Sequence, residues 1–168
     1  SDDGAVWIDC PSAFNRTLDP VAAILFTHKD FLGASNQYRA EWNAEVYLHE
    51  ADAALPLARS FPIDRRFTAD FAERGIEAFH IAGHSPGFTF YIFADVLFVC
   101  DYAFPPGPTM RLNPFGPKSG TLKGAKRLHE IVQGRKLATV CGYNYVAPFD
   151  AWCGDFERAI AAAEARPE

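Results

Sequence analysis

No apolar run in this chain of 168 residues reaches the ~18 residues that a membrane-spanning helix needs. The chain opens Ser1-Asp2-Asp3, with no basic start leading into an apolar stretch, so no signal peptide is read at its beginning. There is no basic patch. Sixteen Lys and Arg face twenty-one Asp and Glu, a formal net charge of −5, and an acidic surface argues against nucleic acid as a partner. There is no Cys-x-x-Cys pair among the cysteines at 10, 100, 141 and 153, which removes the usual redox and zinc-knuckle readings. Cys10 and Cys100 end apolar runs and read as buried free thiols; a Cys141–Cys153 disulfide runs against the cytoplasmic character these absences suggest. The expectation is a cytoplasmic protein with neither a membrane nor a nucleic-acid partner.

What the chain has in quantity is apolar and aromatic side chains, 49% and 14% of the residues, with fifteen Phe. That is ample for a packed core, and the length fits one domain over residues 1–168. Gly4 to Asp9 reads as a strand ending on an acid, and Val21 to Thr27 as a buried strand. Ala34, Tyr38 and Trp42 give helical spacing over Gly33–Trp42, broken at Asn43. Glu45–His49 alternates as a short strand, followed by a helix or loop over Ala51–Ala58 and a hairpin or helical turn over Phe67–Arg74. Ile76–Ala82, Phe88–Phe93 and Leu97–Asp101 read as three further strands, the last two joined by a turn at Ala94-Asp95. Pro105–Gly120, with five prolines and three glycines, is a long loop. Helices are predicted over Leu122–Val132 and Asp150–Glu164, with a strand at Leu137–Cys141 between them. Strands alternating with helices point to an α/β fold with both sheet faces covered.

The most informative stretch is Gly83-His84-Ser85-Pro86-Gly87, followed by two strands that end at Cys100-Asp101. An imidazole and a carboxylate at the ends of neighbouring buried strands suit a metal or an acid/base site. The pattern resembles the G-H-[ST]-P-G … L-F-x-G-D signature of the metallo-β-lactamase fold superfamily. Gly4–Asp9, Thr27-His28, the segment Glu45–Asp52, and the helix, strand and Gly142-Tyr143 after the long loop stand in that family's order. The resemblance implies an αββα sandwich of two mixed sheets flanked by helices; the strands that usually precede the Gly4–Asp9 segment are not in this sequence, so either the chain is trimmed or its first half-sheet is reduced. A reduced sheet of that kind would expose an edge, and with it a route to a homo-oligomer.

The same resemblance implies a damaged metal site. The family's first motif, T-H-x-H-x-D-H-x-G-G, is here Thr27-His28-Lys29-Asp30-Phe31-Leu32-Gly33-Ala34, two residues too short. Aligned at Thr27-His28, the second histidine is deleted and Asp30 is the motif aspartate. Aligned at Gly33, His28 is the second histidine and Phe26 replaces the first. Either way Phe31 stands where an imidazole is expected, and Tyr143 replaces the last ligand histidine. Candidate ligands reduce to His28, Asp30, His84 and Asp101, too few for two metals; His28, His84 and Asp101 with water would hold one Zn or Fe ion, and an empty site stays open as well. His84, Asp101 and Asp30 are the candidate catalytic groups. The resemblance thus implies a hydrolase-like protein acting on an ester, thioester, lactone or phosphoester, or else a pseudo-enzyme kept as a binding module. Plainer readings stand beside these: His84 capping a turn, Asp30 as N-cap of the following helix, Asp101 paired with an arginine, and Tyr143 buried with its hydroxyl on Asp101 or His84. Phe115 and Met110 on the long loop are candidates for the pocket mouth.

Overall fold

The computed structural model describes residues 4–165. Four short strands, β1 (Val6–Ile8), β2 (Ala23–Leu25), β3 (Glu45–His49) and β4 (Arg65–Phe67), form one sheet in that order. Every pairing in it is parallel. Six strands form the other, in the order β10-β9-β8-β7-β6-β5: β5 (Phe71–Glu73), β6 (Ile76–His80), β7 (Thr89–Phe93), β8 (Val96–Cys100), β9 (Thr139–Gly142) and β10 (Tyr145–Pro148). This larger sheet is mixed: antiparallel except for β8–β9, whose parallel pairing needs the crossover supplied by helix α3 (Lys118–Val132).

The period of two along the strands sorts the core into layers. In β2, Ala23 and Leu25 face the other sheet, where they meet Ala78 and Tyr91. Ile24 and Phe26 face the opposite way, onto Tyr38 of helix α1 (Ser35–Trp42). In β7, Tyr91 points between the sheets while Phe90 and Ile92 pack under α3 and the C-terminal helix α4 (Phe149–Glu164) through Leu128, Trp152 and Phe156. Helix, sheet, sheet, helix is the stacking the resemblance implies, but only the larger sheet is mixed: the smaller, expected mixed as well, is all parallel, because each of its strands is joined to the next by a crossover. Three apolar layers account for strands that are hydrophobic on both faces. Asn43 ends α1 in the left-handed conformation, as its residue type suggests.

Four local expectations are corrected. Phe67–Arg74 is no hairpin, because β4 and β5 belong to different sheets; Phe67 and Phe71 meet at the sheet interface with ring centroids 4.8 Å apart. The β10 strand was not foreseen: four residues ending in proline carry little periodic signal, and it lies at a sheet edge where proline is tolerated. Helix α3 starts at Lys118, directly after Pro117, which shortens the Pro/Gly-rich loop. Met110 is buried in the core beneath α4 and is not at the pocket mouth. Among the described residues all four cysteines are free, and no helix is long and apolar enough to cross a membrane.

Candidate metal centre

The predicted site residues come together where strands of both sheets end. His28 follows β2 and is fully buried, opening a 3-10 turn over Lys29–Phe31. His84 lies in the loop between β6 and β7, and Asp101 directly follows β8. The two imidazole rings are 4.6 Å apart, centroid to centroid. Asp101 Oδ1 lies 3.7 Å from His28 Nε2 and 3.6 Å from His84 Nε2. Asp30 reaches the same place, its Oδ2 3.5 Å from His28 Nε2. Asp30 therefore faces the site from inside the 3-10 turn. It is not the N-cap of α1, a position taken by Ala34. Phe26 is packed in the core.

Four polar atoms at this point are buried without a hydrogen-bond partner: His28 Nε2, both ring nitrogens of His84, and Asp101 Oδ1. Such groups are costly unless something satisfies them. Two ligands held at about 2.0–2.2 Å by one tetrahedral ion lie roughly 3.3–3.6 Å apart. The carboxylate-to-imidazole separations of 3.6 and 3.7 Å match that spacing, and His28, Asp30 and His84 form a further close group. The donor set fits a single ion. Asp101 has no arginine partner among its hydrogen bonds and ion pairs; Lys29 turns its ammonium onto Asp30 Oδ1 at 2.8 Å.

The protonation states suit that reading. Thr27 donates its hydroxyl to Asp9 at 2.9 Å, and the hydroxyl oxygen lies 3.0 Å from His28 Nδ1. The hydroxyl's one proton is thereby used, so its oxygen accepts from Nδ1–H, and Nε2 is left with a lone pair facing the site. Burial pushes the His84 imidazole down to about 4, against the pull of Asp101, so its ring is neutral at physiological pH. In the tautomer that carries its proton on Nε2, His28, and then Lys29, hold the Asp30 carboxyl well below the usual carboxylate range; with the Nε2 lone pair facing the site, the Lys29 ammonium at 2.8 Å keeps it anionic.

Three residues that the sequence alone did not mark hold these groups in place. Asp52, fully buried in the short helix α2 (Glu50–Ala53), accepts from Ser85 Oγ at 2.5 Å, Gly87 N at 2.7 Å and Lys29 N at 2.9 Å. One carboxylate thus ties the loop of His84 to the turn after His28. Asn113 donates to Asp101 Oδ2 at 3.2 Å and to its carbonyl at 3.0 Å, fixing one carboxylate oxygen and leaving the other to the histidines. Asp9, at the end of β1, receives Thr27 N at 2.8 Å. Asp52 sat in a segment already aligned with the family. Asn113 lies in a loop with no periodic signal.

Backbone strain gathers at the same place. Asp9, Ala82 and Cys100 have φ values of 60°, 53° and 47°, sparsely populated for non-glycine residues. The long loop crosses the site so closely that a Cβ on Gly116 would come within 2.5 Å of the His84 Cα. Above Asp30 and Asp101 opens a cleft of about 620 Å³, walled by Phe31, Phe104, Phe115 and Tyr143. Phe115 is at the mouth, as expected. Tyr143 is not the buried plug expected from the sequence: it is 48% exposed, its ring 5.5 Å from that of Phe31, with its backbone N–H donating to Cys100 O. A strand end at a cleft rim offers its side chain to solvent.

No family model and no curated relative matches the sequence. Solved structures do. The BLEG-1 B3 metallo-β-lactamase is 23% identical with a TM-score of 0.69, over 94% of this chain and 90% of its own. TTHA1623, determined in a di-iron-bound form, is 22% identical with a TM-score of 0.63, over 83% of this chain and 76% of its own. An N-acyl homoserine lactone hydrolase, with product bound at its catalytic metal centre, is 18% identical with a TM-score of 0.60, over 75% of this chain and 57% of its own. The fold of this chain is that of the metallo-β-lactamase superfamily.

Proposed function

We propose that this chain is a hydrolase-like protein with a reduced site, binding at most one metal ion through His28, His84 and Asp101 and acting on an ester, thioester or lactone. The observation that carries the reading is the convergence of three buried donor atoms, His28 Nε2, His84 Nε2 and Asp101 Oδ1, with the carboxylate oxygen at ligand spacing from both imidazoles. A Zn or Fe ion held there would supply a Lewis acid and an acidified water at neutral pH. The chain's own residues do the rest. Asp30, anionic and partly exposed at the cleft floor, accepts a hydrogen bond from an attacking water and orients it. The clasp of Asp52 and the Asn113 bond keep His84 and Asp101 in register with His28. The aromatic walls shed water and take the apolar arm of a substrate. No Lys or Arg lines the cleft, and two carboxylates floor it, which disfavours a phosphoester. The likeness to a lactone hydrolase supports a neutral cyclic or acyl substrate.

The non-catalytic alternative draws on Phe31, whose ring stands 5.1 Å from that of His28 where an imidazole is expected. One experiment separates the two. Metal content is measured on purified protein, followed by turnover of p-nitrophenyl esters, acyl thioesters, lactones and a phosphoester. We expect close to one equivalent of metal, and ester or lactone turnover that falls ~10²–10⁴-fold in His84→Ala and Asp101→Ala. Metal bound with no turnover of any class moves the chain to a binding module. Turnover unaffected by both substitutions removes this site from the chemistry.

A further inference from the structure

Away from the cleft, on the helical layer that covers the larger sheet, three metal-ligating side chains of different kinds meet. His129 comes from the last turn of α3; Cys153 and Glu157 come from α4, one turn apart and so on one face. One ligand atom from each, a ring nitrogen of His129, Cys153 Sγ and a Glu157 oxygen, lies within 4.8 Å of the other two. His129 Nε2 and Glu157 Oε1 are already 2.9 Å apart. Cys153 is a free thiol, half-buried against the core, while Glu157 is 57% exposed, so an ion has a way in from solvent.

We propose that His129, Cys153 and Glu157 form a second, separate site for a thiophilic divalent ion, Zn²⁺ above all. Imidazole, thiolate and carboxylate are the three zinc-binding side-chain types, and three protein ligands plus water complete a tetrahedron. The ligands sit on two helices packed on a common core, so little ordering is needed on binding. Glu157 brings an anionic ligand to the site beside the free Cys153 thiol. Binding therefore exchanges a proton for the ion: the S–H bond breaks, the proton leaves to solvent, and a metal–sulfur bond forms. Occupancy would staple the C-terminal helix to α3, giving the site a structural or metal-sensing role that does not depend on the proposed hydrolysis.

An ion pair between His129 and Glu157 would account for those two residues alone, and the thiol is what separates the readings. Co²⁺ is titrated into the full chain, and a near-ultraviolet thiolate-to-cobalt band is followed. The band should appear, persist in Cys100→Ser, whose thiol lies near His28 and Asp101, and vanish in Cys153→Ser. His129→Ala should weaken Co²⁺ binding at this site at least tenfold. In parallel, Zn²⁺ should slow alkylation of Cys153 at least tenfold, read by peptide mass spectrometry, while Cys141 alkylates at an unchanged rate. A band that survives Cys153→Ser, no band at all, or alkylation of Cys153 indifferent to Zn²⁺ would overturn the proposal. Cys153→Ser changes one atom of a half-buried side chain, and a thermal melt without metal confirms that it is folded.

Discussion

Two layers of polar groups lie one above the other at the strand ends, and they differ in one respect. In the lower layer every group shown is paired. Asp52 gathers three donors, Asp9 takes the backbone and hydroxyl of Thr27, and Asn113 bridges Asp101 to its own loop. In the upper layer His28 Nε2, His84 Nε2 and Asp101 Oδ1 face one another with no hydrogen-bond partner among the described residues. If the site were merely vestigial, its histidines and carboxylate would be expected to swing toward water or to pair off. Here the lower layer holds the upper one unpaired. That arrangement is the one the proposed metal site needs: ligands held in register by groups that are themselves satisfied.

The hardest way to break this comparison is to remove the clasp. Asp52→Ala leaves the Ser85 hydroxyl and the backbone N–H groups of Gly87 and Lys29 buried without an acceptor. Each orphaned group costs about 1–3 kcal/mol, so a loss of about 3–5 kcal/mol is expected in urea unfolding. Asp52→Asn, which keeps one acceptor oxygen, should lose less. A variant within ~0.5 kcal/mol of wild type would show that the two loops are held by something else.

The two layers were not equally legible. His28, His84 and Asp101 could be found because the resemblance to the superfamily's ordered motifs singles out those positions, and ligand chemistry limits them to a few residue types. The layered fold could be read because apolar runs with no alternation imply sheets covered on both faces. The lower layer was harder. Asp52 and Asn113 act only because the fold brings together the segment after β3 and the long loop, contacts set by topology and not by spacing. The burial of Tyr143 was misjudged for a related reason. Replacing a ligand by an aromatic says nothing of which way a strand end points, and Gly142-Tyr143 turns outward.

A subtler break acts on one hydrogen bond between the layers. Thr27→Val keeps the shape but removes the hydroxyl that links Asp9 to His28 Nδ1, so the ring loses the partner that fixes its tautomer. Metal affinity should fall about 10–100-fold, measured by competition with a chelating dye. Thr27→Ser should restore most of it. Equal affinity in all three would mean that core packing alone orients the ring.

Phe31→His sharpens the comparison from above, by adding an imidazole to the unpaired layer. Phe31 already touches His28, so a new ring would lie near the ion. The turn is still two residues short of the family motif, however, and its backbone was not built to aim that side chain. We expect at most a tenfold rise in zinc affinity, seen as a small zinc-dependent rise in Tm, since tenfold corresponds to ~1.4 kcal/mol. Several orders of magnitude would show that Phe31 alone had been limiting the site.

The smallest effect lies where the lower layer meets titration. His49 is buried at the end of β3, its ring stacked on His80 at 3.8 Å, and its Nδ1 accepts from Ala51 N at the start of α2. Through α2 it stands three residues from Asp52. Burial, and then the neighbouring His80, push its pKa below the ordinary value, while Asp52 and Glu50 pull the other way. The folded state therefore binds a proton less readily than the unfolded chain, whose histidine titrates near ~6.5. The stabilising contribution is whole above that pH and is lost as pH falls toward the lower folded value. Protonation also places a second N–H against the Ala51 donor. Stability should thus decline from pH 7 to pH 5 by more in wild type than in His49→Asn, which keeps an N-cap acceptor and cannot titrate. Urea melts at pH 5, 6 and 7 test this through the difference between the two proteins, in which groups common to both cancel. Parallel pH profiles would mean that acid sensitivity enters elsewhere, and that α2 is anchored by the Asp52 clasp alone.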